Sequence, residues 1–579
     1  MKLLLMIVII AFSLINVNAI YQSENFYWLD AVLRIILLFG ALVIFLSKRF
    51  KPQFSKLEVV AFSLIGFIII RSVVATPIPW TIISAAIFWT VIYLGFKGYF
   101  QQADIDKTIL LPIVSAICFI FLSLLLLLIH LGKNSNTLDS FFHPNISIFA
   151  ILLSTQISIL VVAAHQYPVT LLPFKRWLHT FIVALSILGT LLLLLTNGRA
   201  GVLILLTILG VLSFLKSSTK LPKWLILVII LVISTIGYFG MAYKQNSTSG
   251  RFLIYRVSGN ILKDHWVSGV GPGQFTVAYN NYQSAYFMQH GFHGKEALLA
   301  DTTRYAFNDW LQIFVEYGVV GLGLAICCVI MLIAKWGTLY EKRLNSLFIM
   351  YVPCVSVLIA SFVFYPLSVS PLILSLVISL SSISSNTLLP SQKRNYSVKY
   401  LPYAFSALAI ISLAIQIKYV SYRHGEKKGL ELLAAGEKSK ALKEFEKSSS
   451  NVFNDANALY TYALASYQMN KLETAKKIAY SASEISSTQS LHILIGDIHH
   501  GLGDSIVAES SYMKAIYMVP NRMYPKVRLV DFYMDIGDTS KAIEWANIIL
   551  KMPVKVESER TERMKQNIRD MLKRIKASK

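Results

Sequence analysis

The sequence predicts an all-α, polytopic transmembrane helical bundle of about 12 to 13 spans, with one large loop and a C-terminal α-helical repeat domain. The 579 residues are 55% hydrophobic and have a mean hydropathy of +0.58, which excludes an ordinary soluble protein. Apolar runs of about 18 residues or more recur as far as residue 419, and each can cross a hydrocarbon core of about 30 Å. Because backbone groups in lipid need internal partners, we expect these runs to be helices. Residues 420–579 are instead charged, alanine-rich and repetitive.

The apolar runs give the predicted bundle its order along the chain. The first, from Met1 to about Ile15, is either a cleaved secretory signal or a retained helix; we favour the helix, and both place Lys2 in the cytoplasm. The order of apolar and polar segments divides the chain into N-terminal spans (1–242), a large loop (243–309), C-terminal spans (310–419) and a repeat domain (420–579). The remaining spans are predicted near 29–47, 57–75, 80–97, 108–132, 146–164, 178–196, 200–215, 224–242, 310–334, 345–365, 369–386 and 402–419.

Positive charge is concentrated in alternate loops between these spans, while the loops at 76–80, 132–144 and 365–371 carry almost none. By the positive-inside rule the basic loops are cytoplasmic, which places the large loop and the repeat domain outside the cytoplasm. The basic loops also account for much of the formal net charge of +23, so we expect membrane lipid, and no nucleic acid, as a partner. The basic loops contain Lys48, Arg49, Lys51 and Lys56; Lys97 and Lys107; Lys175 and Arg176; Lys216, Lys220 and Lys223; Lys335, Lys342 and Arg343; and Lys393, Arg394 and Lys399.

The C-terminal region contains an internal repeat. Small or left-handed-tolerant residues recur at separations of 34, 33 and 34 residues, and an alanine follows each of them by five residues. The pattern resembles the tetratricopeptide repeat, which implies paired helices and a protein partner bound on a concave face. The alternative is a plain helical spacer. The two series are Gly436, Asn470, Gly503 and Gly537, and Ala441, Ala475, Ala508 and Ala542.

Neither a metal site nor a cofactor is expected. The four cysteines lie in apolar spans at a spacing that matches no zinc or redox motif. The histidines of the large loop are scattered, and we predict surface or structural roles for them. These residues are Cys118, Cys327, Cys328 and Cys354, and His265, His290 and His293.

Arg199 interrupts two apolar runs at the predicted outer membrane face, within the segment 196–201. An arginine there is costly unless it is paired, and its planar donor fork matches two phosphate oxygens at once. The alternative is an interfacial arginine that extends towards water. Arg71 and Arg34, near other outer helix ends, are weaker candidates of the same kind.

The segment Arg251–Gly321 is the longest polar, aromatic-rich stretch between spans, and segments of this length are usually functional. Arg251, Arg256 and Arg304 add positive charge on the outer side. Gly269, Gly271 and Gly273 surround Pro272 in a predicted tight turn with exposed N–H groups. Such a face suits an anionic, lipid-linked substrate such as a polyprenyl pyrophosphate, and we predict that Arg199, Arg251, Arg256, Arg71, Gly271 and Gly273 contribute to its site.

The order of these motifs resembles the O-antigen ligase and polymerase superfamily over about residues 180–335. Gly198-Arg199-Ala200 lies between two spans, Arg251 through Tyr255 follow, and Asp264-His265-Trp266 leads into the glycine turn. Asn308-Asp309, Leu311-Gln312, Glu316 and Gly318–Gly321 then enter the next span. The resemblance implies transfer of a glycan from undecaprenyl pyrophosphate to an acceptor hydroxyl outside the cytoplasmic membrane. It also implies that Arg199 and Arg251 hold the pyrophosphate.

One position departs from that family's pattern. Many members have a histidine directly before the Asn-Asp pair, where this sequence has Phe307, and a phenyl ring cannot accept a proton. Asp309 or Glu316 would substitute as the base, or leaving-group activation dominates, or the protein is not catalytic. Asn308 either orients substrate or caps the following helix, and the two acids are alternatively ordinary first-turn residues.

We therefore expect a multi-pass enzyme of the bacterial inner membrane, an O-antigen ligase-like glycosyltransferase with its large loop and repeat domain in the periplasm. Its acceptor is lipid A core, a growing polysaccharide (which would make it a polymerase) or a protein. The alternative is a non-enzymatic scaffold that recruits envelope partners through its repeats. A transporter is disfavoured because the spans contain few charges and no obvious inverted repeat.

Overall fold

The computed structural model describes residues 27–47, 53–102, 105–132, 146–166, 175–196, 198–216, 245–292, 294–341, 348–386, 400–449, 455–554 and 558–577. All regular secondary structure in these ranges is helical. The helices are α1 (Tyr27–Phe45), α2 (Lys56–Val74), α3 (Trp80–Gln102), α4 (Ile105–Gly132), α5 (Ile146–Gln166), α6 (Lys175–Leu195), α7 (Arg199–Lys216), α8 (Gln245–His265), α9 (Phe275–His290), α10 (Lys295–Leu299), α11 (Asp309–Glu341), α12 (Phe348–Ser361), α13 (Ser370–Asn386), α14 (Leu401–Ala434), α15 (Lys438–Ser449), α16 (Ala456–Gln468), α17 (Leu472–Ile485), α18 (Gln489–Gly501), α19 (Ser505–Met518), α20 (Tyr524–Asp535), α21 (Thr539–Lys551) and α22 (Glu559–Ala577).

The apolar helices make this a multi-pass membrane protein. Within the described ranges, 7 helices are long and apolar enough to cross a membrane, and three shorter apolar helices accompany them. The predicted first segment and the predicted span near 224–242 lie outside the described residues, so the count of about 12 to 13 spans stays a prediction. The shorter helices are Arg199–Gly210, Phe348–Ser361 and Ser370–Ser385.

Two apolar cores organise the bundle. Helix α5 is buried on nearly all sides, because α4, α6, α7 and α12 pack around it. The second core joins α1, α3, α13 and α14. The kinked helix α11 packs lengthwise against α2.

The basic end of α2, α3 and α11 is more tightly packed than the sequence predicts. Lys97 was expected in a loop, but it lies inside α3, is 1% exposed and pairs with the buried Glu58 of α2. Tyr93 Oη donates to Glu58 Oε1 at 2.6 Å, and Lys335 Nζ of α11 donates to Ser55 Oγ at 3.1 Å. The loop assignment of Lys97 and Lys335 is therefore wrong. Both lie in helices, and the Glu58 carboxylate compensates the buried ammonium of Lys97.

The predicted large loop is a compact helical unit. Helices α8, α9 and α10 share a small core with the start of α11, formed by residues such as Val257, Tyr279, Ala306 and Val315. Each of these four side chains is essentially inaccessible to solvent. This unit lies between the bundle and the C-terminal region.

The C-terminal region consists of helix pairs joined by tight turns. The pairs are the end of α14 with α15, α16 with α17, α18 with α19, and α20 with α21, and α22 follows. The residues at the predicted turn positions all adopt positive φ: 79° at Gly436, 57° at Asn470, 80° at Gly503 and 82° at Gly537. The predicted alanines Ala441, Ala475, Ala508 and Ala542 are fully buried. Assignment to the tetratricopeptide family stays a prediction.

Candidate functional site

The site begins at the break between α6 and α7. Thr196 Oγ1 donates to Leu193 O at 2.6 Å and accepts from Gly198 N at 3.2 Å, which turns the chain at the end of α6. A Cβ at Gly198 would lie 2.1 Å from Ala150 Cβ of α5, so only glycine allows this approach. Arg199 is then the first residue of α7 and is exposed. The positive end of the α7 dipole and the Arg199 charge therefore coincide.

Arg251 of α8 lies beside this helix start. Burial lowers the pKa of the half-buried Arg251 guanidinium, and the nearby charge of Arg199 lowers it further, while Tyr255 acts in the opposite direction. The Arg251 Cζ lies 5.5 Å from the centre of the Phe307 ring. The described residues provide neither a hydrogen-bond acceptor nor a carboxylate partner for Arg251. The charges of Arg199 and Arg251 are therefore close enough to interact at the junction of the bundle and the loop unit.

Phe307 forms the floor of this site. It adopts a φ of 52°, which is rare for a bulky residue, and such backbone strain persists only where surrounding contacts hold it. Its ring lies edge-to-face against Phe364 at 6.2 Å and Tyr365 at 5.5 Å. Tyr305 stacks on Tyr365 at 4.1 Å. Phe307 therefore bridges the core of the bundle and the core of the loop unit.

The start of α11 is fixed by its own polar side chains. Asn308 Oδ1 accepts from Leu311 N at 3.1 Å, which is the capping alternative of the two roles predicted for Asn308. Asp309 is 5% exposed, and its Oδ2 accepts from Leu367 N at 3.0 Å. Asp309 thereby ties the start of α11 to the segment that follows α12.

The glycine turn fills a kink in α11. Gly318 adopts φ 64° and ψ −164°, so Val315 O and Glu316 O cannot bond to the following turn of the helix. Val270 N donates to Val315 O at 2.8 Å and Gly271 N donates to Glu316 O at 3.0 Å. In return, Val319 N donates to Trp266 O at 3.0 Å.

This packing overturns the expectation that the amides of Gly271 and Gly273 are exposed to a ligand. Gly273 N donates to Glu316 Oε2 at 2.9 Å, and Gln312 Nε2 donates to Glu316 Oε1 at 3.1 Å. Both oxygens of the buried Glu316 are therefore engaged. The glycines instead allow the turn to approach the backbone of α11 closely. A Cβ at Gly269 would lie 2.4 Å from Glu316 O.

The remaining predicted arginines lie elsewhere. Arg256 is bound by Glu296, with Nη1 2.7 Å from Oε1, and it also donates to Tyr286 Oη at 3.2 Å. Arg71 Nη2 donates to Ser268 O at 2.8 Å, which links the end of α2 to the turn before Gly269.

The other predicted polar residues have ordinary structural partners. Arg34 pairs with Asp30 at 2.8 Å, and His290 Nδ1 lies 2.8 Å from Tyr286 O. His293 is outside the described residues. Among those that are described, no group of three or more His, Cys, Asp or Glu side chains is placed to hold a metal ion.

The aromatic floor is the part of the site that the sequence analysis missed. Tyr365 and Phe364 follow α12, far from the arginines in sequence, and only the fold brings them under Phe307. The only signal in the sequence is Phe307 itself, an aromatic residue directly before the capping Asn308.

Comparison with protein-family models matches residues 182–326 to the O-antigen ligase family. The matched segment extends from α6 into α11 and contains Arg199, Arg251, Phe307, Asp309 and Glu316. It supports a ligase- or polymerase-like role in glycan biosynthesis. A search among curated proteins finds no match to this chain.

Proposed function

We propose that this protein is an O-antigen ligase-like glycosyltransferase of a bacterial inner membrane. It moves an oligosaccharide or polysaccharide from undecaprenyl pyrophosphate to an acceptor hydroxyl on the periplasmic side. The observation that carries the proposal is Arg251, which lies over the Phe307 ring at the junction of the bundle and the loop unit, close enough to Arg199 for the two charges to interact. A bound pyrophosphate would accept hydrogen bonds from both guanidinium groups, whose planar donors match its oxygens. The family match over 182–326 supports the same class of reaction.

In this proposal the arginines act mainly on the leaving group. The acceptor oxygen forms a bond to the anomeric carbon, and the bond from that carbon to the pyrophosphate oxygen breaks. The electron pair of the broken bond stays on the leaving pyrophosphate, where Arg199, Arg251 and the start of α7 stabilise the added negative charge. Phe307 holds Arg251 through its ring face, an interaction of about 0.5 to 2 kcal/mol.

We further propose that Asp309 accepts the proton of the acceptor hydroxyl. Its Oδ2 is bound by Leu367 N, while Oδ1 receives no hydrogen bond from the described residues. Glu316 is less suited because both of its oxygens are occupied. Asp309 also lies only two residues after Phe307, which occupies the position of the family's usual histidine.

The test compares two arginines of the same helix in the full-length protein. Arg251→Ala should lower glycan transfer at least about 100-fold, with accumulation of the lipid-linked precursor. Arg256→Ala is the matched control, because Arg256 is exposed and paired with Glu296, and it should stay within a few-fold of wild type. Equal transfer by the Arg251→Ala and wild-type proteins would overturn the proposal.

The product of the same assay identifies the acceptor. Surface polysaccharide and glycoprotein profiles of a deletion strain are compared with those of the complemented strain. Modified lipid A core indicates a ligase, a ladder of longer chains indicates a polymerase, and a modified protein indicates a protein acceptor. Unchanged profiles in the deletion strain would instead favour the non-enzymatic scaffold.

A further inference from the structure

The repeat domain is docked on the loop unit through buried side-chain amides. Asn280 of α9 is fully buried, and its Nδ2 donates to Ser487 O of the repeat domain at 2.8 Å. Its Oδ1 accepts from Thr303 N at 3.1 Å. One amide therefore joins the repeat domain, α9 and the chain segment that leads to Phe307.

Gln283, one helical turn further along α9, makes the same three-way connection. It is also fully buried, and its Nε2 donates to Met518 O at 2.6 Å and to Asp301 O at 3.1 Å. Tyr279 Oη donates to Gln283 Oε1 at 2.8 Å, which fixes the orientation of the amide. The Gln283 Nε2 group thus makes two hydrogen bonds and Oε1 accepts one, so neighbouring atoms fix the orientation of the amide.

Asn521 repeats the arrangement from the opposite side. This residue lies in the turn between α19 and α20, and its Nδ2 donates to Leu298 O at 2.8 Å and to Ala300 O at 2.7 Å. The acceptors are main-chain carbonyls, so the bonds fix the position of the backbone whatever side chains it carries. The segment 298–303 is therefore held from both sides.

Apolar and charged contacts extend the same interface. The Phe292 ring lies 5.9 Å from that of Tyr517 and 6.0 Å from that of Trp545, and it packs against the core of the repeat domain. Arg522 Nη2 lies 3.4 Å from Asp301 Oδ2, in a pair whose two side chains are each 58% exposed. The interface is thus part of the fold of the whole chain.

The held segment leads directly to the candidate site. Three residues separate Thr303 from Phe307, whose ring supports Arg251. Phe307 is held in its strained conformation by contacts on both sides. A displacement of 298–303 would therefore move the floor beneath the pyrophosphate-binding arginine.

We propose that the repeat domain is a built-in clamp that sets the position of residues 298–307. Asn280, Gln283 and Asn521 are positioning residues for the transfer reaction, which makes this inference rest on the proposed function. The clamp occupies the ends of α17 and α19 with the protein's own chain.

The first test measures the clamp without reference to activity. In full-length protein, hydrogen–deuterium exchange of a peptide covering 298–307 should become about tenfold faster or more in Asn521→Ala. Without the Asn521 amide, the carbonyls of Leu298 and Ala300 are no longer held, so the backbone N–H groups of the segment open to solvent more often. Asn547→Ala is the matched control, since Asn547 is an exposed asparagine of the same domain. Equal exchange in the two variants would overturn the clamp, whatever the protein catalyses.

The second test links the clamp to transfer. Arg522→Asp faces Asp301 with a like charge, and it should lower kcat/KM for the lipid-linked donor several-fold at unchanged protein level. The double variant Asp301→Arg with Arg522→Asp restores an opposite pair and should restore transfer, which loss of general stability would not produce. Absence of rescue, or no loss in the single variant, would contradict the positioning role.

Arg251→Ala measured in parallel separates the two proposals. If Arg251→Ala abolishes transfer while Gln283→Ala, Asn521→Ala and Arg522→Asp match the Asn547→Ala control, the clamp fails and the proposed function stands. If Arg251→Ala transfers normally, the proposed function fails, and the exchange measurement alone decides the clamp.

Discussion

At the scale of single residues, the two acids of α11 are assigned different roles: we propose proton transfer for Asp309 and a packing role for Glu316. Each is a buried carboxylate at the start of α11, yet one oxygen of Asp309 and both oxygens of Glu316 are bound by described residues. Asp309→Asn keeps an acceptor for Leu367 N and removes the basic oxygen. We expect it to lower kcat about 100-fold or more while donor KM changes little.

Glu316→Gln is the comparison for that experiment. It places an amide donor against Gly273 N or Gln312 Nε2, so it should loosen the glycine turn and lower thermal stability, with a smaller loss of kcat. Both effects are measured with purified protein by donor kinetics and thermal unfolding. A larger kcat loss in Glu316→Gln than in Asp309→Asn, at equal stability, would reverse the assignment of the base.

The residue-level site could be predicted from the sequence only in part. Arg199 was predicted because charge at an outer membrane face is costly without a function, and Arg251 because it adds positive charge on the same side and fits the family resemblance. In the fold the two charges are close enough to interact. Gly271 and Gly273 were misjudged because the use of a backbone amide depends on tertiary packing: here Glu316, more than 40 residues away, accepts from both residues. Arg256 was misjudged for the same reason, since Glu296 lies on a separate helix.

At the scale of single elements, the kink in α11 depends on one glycine. A Cβ at Gly318 would lie 2.1 Å from Val267 O, and the φ of 64° disfavours any residue with a side chain. Gly318→Ala should therefore destabilise the protein by more than about 2 kcal/mol and detach the turn at 266–271 from α11.

Gly323→Ala is the matched control for the kink, because nothing lies within 4 Å of its added Cβ in the same helix. Thermal unfolding of the purified variants and protease cleavage within 266–274 measure the difference. If both variants unfold at the same temperature, the kink does not depend on glycine.

The helices themselves were the most predictable part of the structure. Apolar length placed predicted spans within a few residues of helices such as α5 and α6, because a bilayer requires an unbroken apolar run. The end of α3 was less predictable. Lys97 reads as a loop residue in the sequence, and its burial depends on Glu58, 39 residues away.

A buried histidine in α18 should make the repeat domain sensitive to acid. Burial, with a smaller contribution from the charge of Lys514, lowers the pKa of His492 to about 3. His492 Nε2 lies 2.8 Å from Ser487 Oγ, which donates to Asn281 Oδ1 at the clamp. Below about pH 6.5 the unfolded chain binds a proton that the folded chain does not, so stability falls as the pH falls towards 3.

One such group contributes a slope of at most about 1.4 kcal/mol per pH unit. We expect the thermal midpoint of the full-length protein to fall between pH 7 and pH 5, and to fall less in His492→Asn, which cannot titrate. His500→Asn is the control, because His500 is partly exposed and its Nε2 pairs with Asp535 at 3.1 Å. An identical pH response of the His492→Asn and wild-type proteins would exclude His492 as the source.

At the scale of the whole molecule, α14 connects the membrane and the repeat domain without a break. This helix runs from Leu401 to Ala434, which is about 51 Å at 1.5 Å per residue. Its first half packs in the bundle against α1 and α3, and its end pairs with α15. The repeat domain also contacts the loop unit, so both lie on the same side of the membrane.

The membrane side of both units is a prediction from charge and is directly testable. The positive-inside rule predicts that Lys56 lies in the cytoplasm and that the glycine turn and repeat domain lie in the periplasm. With the four native cysteines replaced, Ser268→Cys and Asn547→Cys should react with an impermeant maleimide in intact spheroplasts. Lys56→Cys should react only after permeabilisation.

All three side chains are exposed at helix ends, turns or outer helix faces, so their reaction reports membrane side rather than burial. Protection of both outer positions would invert the assigned topology, and different behaviour of Ser268→Cys and Asn547→Cys would contradict the docking of the repeat domain on the loop unit. Because the proposed acceptor must meet the donor on the side where Arg251 lies, an inverted result would also require a cytoplasmic glycan acceptor.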